Sequence, residues 1–183
     1  IGGWMWGGTD EAESIRTIQS APDHGITLID TAPVYGFGRS EEIVGKAVKQ
    51  GGLRDKVALA TKCALEWDAK ERVARNATKN RILKEADDSL RRLGTDYIDL
   101  LQIHWPDPNV DMYETASAMA TLREQGKIRA VGVSNFTPAQ LDAFSEVATI
   151  DVVQNPYNLF ERQIDEDVLP WAQAHDTRLL AYG

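Results

Sequence analysis

A single cysteine, Cys63, leaves this chain without any internal disulfide framework. That excludes a small fold stapled by bridges, fits a reducing compartment and makes a cytoplasmic location the expectation. Long apolar runs are absent too. None approaches the roughly 20 residues that a spanning helix needs, so no membrane partner is expected. Basic residues are the minority, 20 Lys and Arg against 28 Asp and Glu, for a formal net charge of −8. Such a balance argues against nonspecific binding to nucleic acid, though it leaves room for a local basic pocket for a phosphate. No signal peptide is visible, but the chain opens at Ile1 and not at Met, so a removed segment could hide one. Low-complexity tracts, linkers and shifts of composition are also missing. One domain over residues 1–183 is expected, long enough for a sizeable core.

What the chain does contain is alternation. Residues 1–9 read as a glycine-rich loop carrying Trp4 and Trp6, either a mobile cover for the core or a flap over a pocket. Asp10 or Thr9 caps a helix with Ile15 and Ile18 on one face. A strand over 26–31 follows, then a helix from Ser40 to the pair Gly51-Gly52. The same pattern repeats: strand 57–63, helix 80–93 closed by Gly94, strand 97–105, helix 113–125, strand 128–135, and a helix opened by Thr137-Pro138. Strand 151–155, helix 164–175 and strand 178–182 complete it, and residues 64–74 read as a polar loop. Six strands alternating with six helices over short connections predict a parallel sheet with helices outside it.

The polar residues gather at one end of those strands. Asp30, Lys62, His104, Ser134-Asn135, Gln154 and Tyr182 close successive strands, and Tyr35 follows Asp30 past a proline. In a (β/α) barrel that end is the active face. Taken singly, each has a structural reading: Asp30 or Ser134-Asn135 as a cap, Tyr35 as a loop aromatic, Lys62 as a solvated strand end, His104 as a satisfied histidine, Gln154 and Tyr182 as rim residues. Together they predict carbonyl chemistry. A Lys ammonium near a phenol favours the phenolate and makes Tyr35 a better proton donor. Asp30 would keep Lys62 charged and oriented, and His104 would hydrogen-bond a carbonyl oxygen or assist a proton relay. The Asn135 and Gln154 amides suit a carboxamide, and Tyr182 offers a ring for stacking.

The strings Asp30-Thr-Ala-Pro-Val-Tyr35-Gly, Ala60-Thr-Lys62, Gln102-Ile-His104-Trp-Pro, Gly132-Val-Ser134-Asn135-Phe, Gln154-Asn-Pro-Tyr-Asn and Leu180-Ala-Tyr182 resemble the motifs of the aldo-keto reductases, in order. The likeness is greatest to the bacterial branch akin to potassium-channel β-subunits and sugar-phosphate reductases. It implies a (β/α)8 TIM barrel, present here as about six βα units, that reduces an aldehyde or ketone with NADPH, NADH being possible. It places a catalytic tetrad on Asp30, Tyr35, Lys62 and His104, with Tyr35 as the acid. Cofactor contacts fall on Ser134, Asn135, Gln154 and Tyr182, and Trp4, Trp6 and Trp105 line the substrate side. No metal site is expected, and a longer parent chain is. Two rival readings remain open: a redox-sensing regulatory subunit that binds the cofactor with little turnover, and a Schiff-base aldolase using Lys62.

Overall fold

The computed structural model describes residues 10–183; Trp4, Trp6 and the loop expected over 1–9 lie outside the described residues. Among the described residues eight strands are present: β1 (Leu28–Asp30), β2 (Ala58–Cys63), β3 (Leu65–Trp67), β4 (Val73–Arg75), β5 (Ile98–Ile103), β6 (Ile128–Ser134), β7 (Val152–Pro156) and β8 (Arg178–Tyr182). The helices are α1 (Glu11–Ser20), α2 (Arg39–Gly51), α3 (Lys79–Leu93), α4 (Met112–Glu124), α5 (Pro138–Ser145) and α6 (Val168–Ala174). Apart from β3 and β4, all strands join one parallel sheet in the order β1-β2-β5-β6-β7-β8. Each neighbour in that order is the next strand of this sheet along the chain, reached through a connection that carries one α-helix, and the β2–β5 connection carries β3 and β4 as well. Among the described residues no helix is long and apolar enough to cross a membrane.

Local chemistry starts and stops these elements. Asp10 Oδ1 accepts the Glu13 N–H at 2.9 Å and caps α1. Gly94 ends α3 in the left-handed region (φ 65°), where its N–H returns to the Leu90 carbonyl. Gln140 Oε1 accepts the Thr137 N–H at the start of α5, so Thr137, not Ser134-Asn135, serves that cap. Alternation along the strands sorts the two faces of the sheet. Leu59, Cys63, Leu101, Ile103, Val131, Val133 and Val153 point outward and bury against Ile43, Ile82, Met119, Leu141 and Phe144 of the helices. Each such large side chain contributes about 1.5–3 kcal/mol on burial. Lys62, Gln102 and Ser134 point the other way, to the inner face.

That inner face is concave. Gln154 on β7 donates to Asp30 on β1, Nε2 to Oδ2, at 3.0 Å. In a flat sheet these strands would stand four spacings apart, about 19 Å. The hydrogen bond therefore requires a rolled sheet, which is the wall of a (β/α) barrel over six of its units.

Three expectations change. Residues 64–74 are not a loop: β3 and β4 pair antiparallel, Leu65 opposite Arg75 and Trp67 opposite Val73. Asp68 Oδ1 accepts the Lys70 and Arg72 N–H groups at the turn, and three-residue strands around a charged turn are too short to show a period. The helix expected over 164–175 begins at Val168, preceded by a 3-10 turn at Gln163–Asp165. Pro170 is the reason: with no N–H to donate it is tolerated only in a first turn. Finally, β1 begins at Leu28 and not Ile26, because the Ile26 N–H is taken by the Ala21 carbonyl.

Candidate active site

The predicted residues converge at the C-terminal ends of the strands. A cavity of about 750 Å³ is lined by Asp30, Tyr35, Lys62, His104, Trp105, Ser134, Asn135, Gln154, Tyr182 and Gly183. Lys62 is the buried charge, with a side chain 3% exposed. Its Nζ donates to both Asp30 oxygens at 2.9 Å and to the Thr31 carbonyl at 3.1 Å. Three acceptors match the three donors of an ammonium, so burial leaves none unsatisfied. Asp30 is the more open partner, with a side chain 31% exposed, on β1 at one end of the strand order.

Tyr35 arrives from a short loop between β1 and α2 that turns through Gly36 and Gly38, with φ of 63° and 99°. The loop is wedged by the β3–β4 hairpin, whose Trp67 lies 5.6 Å from Phe37. The Lys62 Nζ stands 5.2 Å from the centre of the Tyr35 ring. On the other side His104 meets it edge-on, with ring centres 5.8 Å apart. Among the described residues no hydrogen bond ends on the Tyr35 hydroxyl or on a His104 ring nitrogen. Both groups are thus available to a third molecule in the cavity that they line.

His104 is held down to about 3, from an ordinary 6.5, first by burial and then by the Lys62 charge. The imidazole is neutral at physiological pH and offers one N–H. This also sets a stability dependence. Unfolded His104 takes a proton near 6.5 and the folded residue does not, so its contribution is complete above 6.5 and falls as pH drops towards 3. In urea unfolding of the intact protein from pH 7.5 to 4.5, His104→Asn should flatten the acid-side loss of stability by up to about 1.4 kcal/mol per pH unit. An unchanged slope would assign that loss to other groups.

The amides expected to hold a carboxamide are partly spoken for. Asn135, in the left-handed region at φ 64°, donates through Nδ2 to the His104 carbonyl at 3.0 Å and to Ser134 Oγ at 2.9 Å. Its Oδ1 accepts the Tyr182 hydroxyl at 2.6 Å. Burial pushes the Tyr182 phenol up, so it stays a donor. Asn135 therefore locks the rim and fixes the Tyr182 ring, itself 38% exposed, facing the cavity. Gln154 spends Nε2 on Asp30, and among the described residues its carbonyl oxygen and the Ser134 hydroxyl proton have no hydrogen bond. A fixed aromatic face beside one acceptor and one donor fits a nicotinamide ring and its carboxamide. Trp105, 37% exposed, borders the opening under the Arg75 guanidinium, 5.1 Å from its ring. Among the described residues no group of three or more His, Cys, Asp or Glu comes together for a metal ion.

Sequence reasoning missed two buried carboxylates behind this site. Glu85 Oε2 accepts the Ala64 N–H at 2.7 Å, where the backbone turns left-handed (φ 73°) just after β2. Glu41 is wholly buried in the first turn of α2. A signal existed for Glu41: it sits three residues before Val44 and seven before Val48, on the apolar stripe of the helix.

Comparison with known proteins agrees with this picture. A family model described as the Aldo/keto reductase family matches residues 1–183. The chain is 58% identical over 183 residues to aldo-keto reductase YhdN of Bacillus subtilis, covering all of this chain and 55% of that one. It is 36% identical over 182 residues to the NADH-specific methylglyoxal reductase of Escherichia coli, covering 92% of this chain and 56% of that one. Among solved structures, the glycerol dehydrogenase AKR11B4 from Gluconobacter oxydans superposes with a TM-score of 0.93 at 53% identity, covering 100% of this chain and 57% of that one. An aldo-keto reductase from Klebsiella pneumoniae in complex with NADPH superposes with a TM-score of 0.82 at 36% identity, covering 94% and 57%. The chain thus spans just over half the length of the relatives it matches.

Proposed function

The chain belongs to the aldo/keto reductase family, and on that premise we propose that the intact protein reduces an aldehyde or ketone to an alcohol with NADPH, or with NADH. The observation that carries the reading is the Tyr35 phenol, whose ring is flanked by the Lys62 ammonium and the neutral imidazole of His104 and whose hydroxyl has no hydrogen bond among the described residues. Ser134, Gln154 and the Tyr182 ring would hold a nicotinamide, whose chemistry when bound would be to supply the hydride. Tyr35 then delivers its proton to the substrate oxygen, and Lys62 stabilises the negative charge growing on the phenol as the proton leaves. Asp30 holds Lys62 by both carboxylate oxygens. His104, being neutral, points the carbonyl by donating its N–H rather than relaying a proton. Trp105 borders the substrate side. NADPH in the Klebsiella protein and NADH specificity in the Escherichia coli relative support both cofactors as candidates.

The Schiff-base reading loses ground to the same geometry. An amine nucleophile needs a free lone pair, and all three Nζ contacts of Lys62 are to acceptors. Oxidation of NADPH and of NADH by the intact protein, followed over a panel of small aldehydes and ketones, tests the proposal. Carbonyl-dependent turnover is expected with at least one pair. Tight NADPH binding with negligible turnover on every carbonyl would replace it with the redox-sensing subunit.

A further inference from the structure

We propose that Glu41 is a positioning residue for the Tyr35–Lys62 pair, acting through Thr61 and the first turn of α2; this rests on the proton-donor role given to Tyr35. The two oxygens of Glu41 are divided. Oε1 accepts the Thr61 hydroxyl at 2.6 Å, and Oε2 accepts Arg92 Nε, from the end of α3, at 2.5 Å. Thr61 precedes Lys62, and neighbouring strand residues face opposite sides of a sheet. So Thr61 reaches out to the helix layer while Lys62 reaches into the cavity, and whatever moves one moves the other.

The residue before Glu41 grips the other strand. Ser40 Oγ lies 2.8 Å from Thr31 Oγ1, and the Thr31 carbonyl accepts from Lys62 Nζ. Thr31 follows Asp30 as Thr61 precedes Lys62. The Ser40 N–H also donates to the Tyr35 carbonyl at 3.2 Å. One helical turn therefore holds the backbone of Tyr35, the strand end of Asp30 and the strand end of Lys62 in a single frame. Apolar packing alone would seat α2 on the sheet, and an apolar pair in place of a buried ion pair is often no less stable. Hydrogen bonds are directional where packing is not. The carboxylate fixes where the turn sits along β2, and with it the approach of the phenol to the ammonium.

A displacement of about 1 Å costs up to a hundredfold in rate. Single-turnover oxidation of bound NADPH in the intact protein, with a saturating aldehyde, counts only molecules that have folded and hold cofactor. Glu41→Gln and Thr61→Val should each slow it by roughly tenfold or more, with NADPH affinity within about twofold of the parent. Thr61→Ser, which keeps the hydroxyl, should restore the parent rate. Should Glu41→Gln fail to fold, the Thr61 pair decides alone. A purely structural role would lower the yield of cofactor-binding protein and leave the single-turnover rate unchanged, and that result overturns the proposal. A normal rate in Tyr35→Phe would remove the Tyr35 assignment and this one with it. A slow Tyr35→Phe beside a normal Thr61→Val would remove the Glu41 assignment only.

Discussion

Tyr35→Phe in the intact protein should lower carbonyl reduction by about 10² to 10⁴, the span that a positioned proton donor supplies. Cofactor affinity should stay within a few-fold, because the residues proposed to hold the nicotinamide lie on β6, β7 and β8 while Tyr35 comes from the β1–α2 loop. The ring stays as well. Phe keeps the edge contact with His104 and the packing against the Ala32, Val34 and Leu65 cluster. Only the hydroxyl goes, and it has no hydrogen bond among the described residues to lose. Stability should therefore be unchanged or slightly raised. Steady-state kinetics beside NADPH titration and thermal unfolding separate these effects. Activity within a few-fold of the parent would end the role assigned to Tyr35.

Lys62→Met should be nearly as damaging to turnover, by about 10² to 10³, as for loss of one preorganised charge that meets the transition state. Met matches most of the Lys stem, so the side chain, 3% exposed, is replaced without a large hole. What disappears is the cation beside the phenol. The stability effect should be smaller than for a fully buried pair. Asp30 is left without its cation, but its side chain is 31% exposed and still accepts from Gln154, so solvent takes up much of the charge. A loss of about 1–2 kcal/mol is expected, below the 3–5 kcal/mol typical when one member of a buried pair is removed. Urea unfolding measures that term, and kinetics at saturating aldehyde measures the other. A variant that lost stability but kept its turnover would mark Lys62 as structural.

These two outcomes bear on how the site was readable. Strand ends could be located from periodicity, and a polar residue closing each of six successive strands stands out after apolar pairs such as Leu100-Leu101. That is why Asp30, Lys62, His104, Ser134, Asn135, Gln154 and Tyr182 are legible in the sequence, and all of them line one cavity. Glu41 was harder, since a helical glutamate reads as solvated unless its place on the apolar stripe is counted. The β3–β4 hairpin was harder still. Its strands are three residues long, too short to show a period, and their packing on the Tyr35 loop is a contact between distant segments.

The sequence by itself determined the alternation of strand and helix, the parallel sheet, and which residues crowd its C-terminal edge. Those follow from periodicity, caps and breakers, which act over a few residues. Only the tertiary structure decided what the polar groups do to one another. Gln154 meets Asp30 because the sheet rolls, a contact across 124 residues that no local pattern encodes. Asn135 turns out to be committed to its neighbours, and His104 is held neutral by burial and a facing charge. Hydrogen-bond partners and solvation depend on distances between elements, and those distances exist only once the wall has curled.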